Sequence, residues 1–297
     1  MNILITNNHL QNFGGSETFV YFFYRKLKTM GHNVDVFTLN TGDFSKYFSD
    51  DLVSFPKNKY DLILVNHNTC LKYLLENKIK GKKIYTCHGV IHGLEKPIMG
   101  ADVYIGISEE VCSYLTSLGF ENNYLIRNGI DTIKFSPTKN ISETPKKILA
   151  ACQGKKAREK IKNVCYNLCI EYFGIEDRIF DVENLYNEVD LVFGLGRTVM
   201  EAMACGRNVI VYDERDYMET GYMDGMVTEN NVVEIRKNNF SGRRFKFEPT
   251  EENIIKEIKK YNKKNGIFNR DYILEENDII NKVIEYLKIY NDLIIKK

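Results

Sequence analysis

Several short segments of this 297-residue chain hold residue types that could do chemistry. In "LVFGLGRTVMEAMACGRNVIVYD", Leu191 to Asp213, one acid, Glu201, stands among apolar neighbours. A carboxylate near the start of a helix can accept two hydroxyl donors in charge-assisted hydrogen bonds. Gly194 and Gly196 would expose backbone amides beside it, with Thr198 following, and Arg197 could neutralise charge on a leaving group. In "ACQGKKAREK", Lys155, Lys156 and Arg158 crowd the start of an expected helix, where cations oppose the macrodipole. A diphosphate seated there would make that cluster sensible; a solvated helix face is the plainer reading. In "NNHLQNFGGSE", Gly14 and Gly15 let backbone come close to a ligand, and Ser16 could cap the next helix, whose amides attract phosphate. Taken alone, the same loop is also a tight turn.

His88 in "YTCHGVIHG" falls just past an apolar run, where a side chain at a strand end would reach a ligand. His92 follows at a spacing that two metal ligands on a helix could use, but no HExxH pattern and no acid pair accompanies it, so no metal is expected. Asn128-Gly129 in "IRNGIDTIKFSP" is a turn signal at the end of a strand.

The elements that must position these residues follow a rhythm of short apolar run, turn and longer amphipathic segment. Strands are expected at 2–6, 33–39, 61–66, 82–87 and 102–108, with a helix over 16–30. Near-continuous apolar strands separated by helices imply an α/β fold with parallel sheets covered on both faces. The polar stretch "SPTKNISETPKK", 136–147, reads as a linker. Strands then resume at 147–152, 190–193 and 208–213. In the tail, apolar Ile279, Ile280, Val283, Ile284, Leu287, Tyr290 and Leu293 mark one amphipathic helix. Two such halves suggest Rossmann-like domains with a cleft between them.

Composition narrows the function classes. Lysine and arginine (41) nearly balance aspartate and glutamate (40), so the chain as a whole makes no field for nucleic acid. The start "MNILITNN" lacks the apolar core of a signal peptide, and "FVYFFY" is too short to span a bilayer. A cytoplasmic protein with at most peripheral membrane contact is expected. Seven cysteines without a CxxC pair suggest reduced thiols, and Cys165 and Cys169, one turn apart, read as core packing.

Together these segments resemble the GT-B glycosyltransferases, most closely the family 4 retaining type that uses nucleotide-activated sugars. The likeness rests on "GGSE", "ISEEV" at 107–111, "NGIDTIKFSP" and "VDLVFGLGRTVMEAMACGRNVIV". It implies an acceptor-side domain over 1–137, a nucleotide-sugar domain over 138–272, and a helix over 273–297 packing back on the first. The resemblance further implies that Glu201 accepts the ribose hydroxyls, and that Gly14, Gly15, Asn128, Arg158, Gly194, Gly196 and Thr198 join it in holding the donor. His88, Arg197, Lys155 and Lys156 would act in catalysis, His88 beside the transferred sugar. The reaction implied is sugar transfer from a nucleoside diphosphate sugar to a hydroxyl acceptor (glycan, lipid-linked sugar or protein) with retention. No metal or cofactor is implied, because lysine and arginine can carry the diphosphate charge.

Two departures stand out. The family's second acid, eight residues before Glu201, is replaced by Phe193, and its arginine-lysine pair is blurred among Lys155, Lys156 and Arg158. A sugar-nucleotide epimerase of the same fold and a catalytically inactive binding protein remain alternatives. A nicotinamide-dependent oxidoreductase is disfavoured, since no segment supplies the third glycine of the dinucleotide fingerprint.

Overall fold

A computed structural model describes residues 1–152, 154–176 and 179–295. The chain divides into two compact units, Met1–Gly129 with the terminal helix, and Ile130–Asp278.

In unit 1 the elements run β1 (Asn2–Leu10), α1 (Gly15–Thr29), β2 (Asn33–Thr41), β3 (Lys59–Asn66), α2 (Asn68–Glu76), β4 (Lys80–Cys87), β5 (Val103–Gly106), α3 (Glu109–Ser117) and β6 (Asn123–Leu125). All six strands pair in parallel, in the order β2-β1-β3-β4-β5-β6. Strand cores such as Ile3, Leu4 and Ile5, and Leu62 to Val65, are buried because helices cover both faces. Chain order reverses direction between β1 and β3, which makes their carboxyl ends the topological switch point of this sheet.

Unit 2 continues with β7 (Lys147–Ala150), α4 (Lys155–Asn167), β8 (Glu171–Gly174), α5 (Glu183–Asn187), β9 (Leu191–Gly194), α6 (Arg197–Ala204), β10 (Asn208–Asp213), β11 (Tyr222–Met226), α7 (Val232–Ile235), α8 (Glu251–Ile258) and α9 (Lys263–Glu276). Its sheet order is β11-β10-β9-β7-β8, with β11 antiparallel to β10 and the other pairs parallel. The reversal here lies between β7 and β9, so the second switch point sits beyond Ala150 and Gly194.

The terminal helix α10 (Ile279–Ile295) belongs to unit 1 and packs on α1 and β4. Tyr286 stacks edge-on against Phe23 and shares a 2.9 Å hydrogen bond with Thr86. The aromatic run of α1 is therefore core, and each such ring contributes about 1.5–3 kcal/mol of burial.

Several expectations change. The boundaries fall at 129/130 and 278/279, where 137/138 and 272/273 were expected, because Ile130 bonds to Asn277 and Phe135 is buried within unit 2. Residues 136–147 are not a linker. Asp190 accepts from the Ser142, Lys146 and Lys147 amides, and Asn187 from that of Thr138. Strands β6, β8 and β11 are additions; β6 and β8 are short and β11 carries Asp224 and Gly225 in place of an apolar run. Cys165 is core, but Cys169 is exposed beyond the end of α4 with a left-handed φ of 55°.

Candidate functional site

In unit 2 the Glu201 segment sits at the switch point. Gly194 ends β9 against the Thr198 side chain, and Gly196 takes φ +55°, a left-handed conformation that favours glycine. Its amide is occupied by the Phe240 carbonyl at 2.8 Å. Arg197 then opens α6 and places its Nε 2.7 Å from Glu201 Oε1, one turn on. Both side chains are about nine-tenths buried. Burial raises the Glu201 pKa above the ordinary carboxylate value, and the Arg197 charge opposes that rise. Burial of Tyr186, with the Glu201 charge adding to it, raises the pKa of that phenol. The helix thus delivers a desolvated carboxylate, held by its own arginine, to the end of a central strand.

The basic segment is arranged less simply. Gly154 precedes α4, and the first helical amide, of Lys155, donates to Asp216 Oδ1 at 2.9 Å. Lys155 and Lys156 are exposed, and Lys155 reaches Glu159 at 3.8 Å. Arg158 turns back to the Cys152 carbonyl. Lys160, which sequence reasoning passed over, binds both Glu214 oxygens and the Pro249 carbonyl. The acids after β10 were missed as well. Arg215 is clamped in a fork on Asp213, so the stretch Asp213–Asp216 lines the same strand ends as Gly194 and Gly154. A run of acids just past an apolar strand was the only available signal. Phe193, standing where an acid was expected, is buried in the core against Tyr212 and offers nothing to a ligand.

Unit 1 carries a second cluster, again at its switch point. Strand β1 extends through Leu10, so the first loop is only Gln11–Gly14, shorter than expected. Gly14 precedes α1 for an internal reason: a Cβ there would lie 2.4 Å from Glu17 Oε2. Gly15 has open space where a Cβ would be. Ser16 does not cap the helix; its hydroxyl donates to Glu17. Glu17, almost fully buried, faces His9 Nε2 at 3.2 Å. The His9 ring stacks on His67 at 5.6 Å and 7°.

His67 holds φ +71°, strained for a non-glycine residue, and follows β3 directly. The Asn8 amide donates to its Nδ1, so the ring proton lies on Nε2, which faces Glu95 Oε1 at 3.3 Å. Glu95 also accepts the His88 amide at 2.7 Å. Burial pushes the Glu95 pKa up, but the His67 hydrogen bond and the nearby histidines outweigh it and leave it below the usual value. His88 follows β4 as expected, with Nε2 2.7 Å from Asn66 Oδ1 and Phe19 edge-on. Asn66 donates in turn to the Thr6 carbonyl, which fixes its oxygen toward His88.

Sequence reasoning found His88 but missed His9, Glu17, His67 and Glu95, whose meeting depends on strand order. His92 is exposed on a different turn, and no group of three or more metal-binding side chains occurs among the described residues. Asn128 is buried, next to Gly129, on which Ile279 of α10 packs. "ISEEV" is a helix start, with Ser108 accepting from the Val111 amide.

No family model and no curated protein matches the chain. Solved structures do. A lipopolysaccharide outer core galactosyltransferase, WaaB, in its apo form aligns at TM-score 0.59 and 13% identity over 100% of this chain and 99% of that one. An alpha-glucosyltransferase in complex with UDP and a 13-mer DNA aligns at 0.59 and 12%, over 98% and 99%. A putative UDP-N-acetylglucosamine 2-epimerase from Listeria monocytogenes aligns at 0.58 and 10%, over 97% and 94%. At such identities the likeness speaks for architecture alone: the chain has the GT-B fold, built of two Rossmann-like units.

Proposed function

We propose that this protein transfers a sugar from a nucleoside diphosphate sugar to a hydroxyl acceptor, with retention of anomeric configuration. The observation that carries the reading is Glu201, a buried carboxylate aimed by Arg197 at the switch point of unit 2. A structural helix would bury an apolar residue there; a desolvated acid serves to accept ribose hydroxyls. Gly194, Gly196 and Thr198 would flank the sugar and diphosphate, with Arg158 and Asn128 as further donor contacts. Exposed Lys155 and Lys156, with the terminal nitrogens of Arg197, would stabilise charge on the departing diphosphate, so no metal is required. His88, held by Asn66 and Glu95, would hydrogen-bond the sugar being transferred. On this reading the bond from the anomeric carbon to the diphosphate oxygen breaks as the bond to the acceptor oxygen forms. The acceptor proton passes to the diphosphate on the same face.

Epimerisation of the same donor is the second reading. The two histidine–carboxylate pairs of unit 1 favour it, because proton shifts on the sugar need acid–base groups that a retaining transfer does not. A thermal-shift screen of nucleoside diphosphates and their sugars tests the shared premise, since a ligand of the native state raises the melting temperature. A donor that stabilises the protein and is then turned over only when a hydroxyl acceptor is added supports transfer. Turnover without an acceptor to an isomer of the donor supports the second reading.

A further inference from the structure

The two switch points lie at carboxyl ends of strands, but unit 1 has an unusual opposite edge. Lys57 and Lys59 lead into β3, and Lys78 and Lys80 lead into β4. In the sheet register Lys59 lies directly beside Lys80, and the Lys80 amide bonds to the Asn58 carbonyl, so both approaches are held together. Like charges on neighbouring strands cost stability. Lys57 has Asp35 as counter-ion and Lys82 has Asp102. Lys59, Lys78 and Lys80 are exposed and form no ion pair among the described residues. Four residues before Lys59, in the same approach to β3, Phe55 is 80% exposed.

We infer that this edge of unit 1 docks on a membrane surface bearing anionic lipid headgroups. An anionic plane relieves the Lys59–Lys80 repulsion, and each lysine near such a surface contributes about 1 kcal/mol. Phe55 favours a bilayer over a nucleic acid duplex. A ring at the headgroup boundary buries apolar area, whereas a nucleic acid phosphate backbone offers none. No helix among the described residues is long and apolar enough to cross a membrane, so the contact is peripheral. The eight residues of β3 separate this edge from His67 by about 26 Å at about 3.3 Å per residue. Docking here therefore leaves the histidine cluster uncovered, and the surface is distinct from the substrate site.

The test is co-sedimentation of the full chain with vesicles of phosphatidylcholine alone or mixed with phosphatidylglycerol. Binding is expected to the mixed vesicles only, and to fall as salt screens it. Removing three lysines together (Lys59→Gln, Lys78→Gln, Lys80→Gln) is expected to weaken it about 150-fold, at about 1 kcal/mol each. Phe55→Ser is expected to weaken it while leaving its salt dependence unchanged. Circular-dichroism melts check that each variant is folded; should the triple variant melt early, Lys59→Gln and Lys80→Gln alone each read about fivefold. Equal binding to neutral vesicles, no binding to anionic ones, or an unaffected lysine variant overturns the inference. Retention on duplex DNA at the same ionic strength without vesicle binding overturns it too, and assigns the edge to nucleic acid.

Discussion

Replacing Glu201 by glutamine isolates the charge of the proposed ribose acceptor without emptying its place. Alanine is the wrong probe, because Arg197 would be left nine-tenths buried without its carboxylate. Breaking such a pair costs about 3–5 kcal/mol, which for a unit of this size lowers the melting temperature by roughly 10 °C or more. Glutamine keeps an oxygen for the Arg197 Nε and retains the volume. Hydrogen bonds to a charged group are worth about 1 kcal/mol more than neutral ones. With two ribose hydroxyls, Glu201→Gln should weaken nucleoside diphosphate binding by about 2 kcal/mol, about 30-fold. Titration calorimetry with ribo- and 2′-deoxyribonucleoside diphosphates is the assay. The wild type should prefer the ribonucleotide, and that preference should shrink in Glu201→Gln. Unchanged affinity, or equal losses for both sugars, would refute the ribose contact.

Other outcomes follow from the same geometry. The double change Lys155→Ala with Lys156→Ala should slow transfer more than it weakens nucleoside monophosphate binding, by rapid-quench kinetics and titration; equal losses would reduce both lysines to anchors. His88→Ala should cut kcat strongly and leave nucleoside diphosphate affinity nearly intact, and a normal turnover number would make the histidine structural. Nucleotide affinity should fall as pH drops through the raised Glu201 pKa, since ribose binding needs the carboxylate. Stability runs the other way for that group. The fold holds its proton above 4.5, where the unfolded chain has released it, so its contribution is greatest below 4.5 and declines as pH rises through the raised value. Glu95 has the opposite sign: its lowered pKa adds stability above 4.5 that is lost as pH falls through the folded value. Glu95→Gln should lower stability at neutral pH by about 1–3 kcal/mol and flatten that acid limb in urea titrations; an unchanged limb would show that Glu95 does not carry it.

Much of the architecture was legible because parallel strands buried on both faces leave apolar runs, as Ile3–Ile5, Leu62–Val65 and Val209–Tyr212 do. Strand β8 escaped because Glu171-Tyr172-Phe173-Gly174 is only partly buried and too short to stand out. The segment 136–147 misled because its polar groups look solvated, yet its amides are satisfied by Asp190 and Asn187. At the site, the Arg197–Glu201 contact was encoded locally, since a helix brings residues four apart together, but in the sequence each residue was read for a separate task and the two were not paired. The contacts of Glu17 with His9, and of Glu95 with His67, were not so encoded. His9 and His67 meet only because β1 and β3 are neighbours across the switch point, and no local pattern encodes that pairing. The glycine at position 14 was read as making room for a ligand, whereas the neighbour it admits is the Glu17 carboxylate.

The central claim is sugar transfer from a nucleoside diphosphate donor. Its most direct test is proton NMR of the anomeric region during incubation of the protein with a stabilising donor and a hydroxyl acceptor, in the presence of a chelator. The account predicts a new glycoside with the donor's anomeric configuration, formed with one equivalent of nucleoside diphosphate and dependent on the acceptor. Conversion of the donor to its epimer without acceptor, or no consumption of any donor that binds, would contradict it.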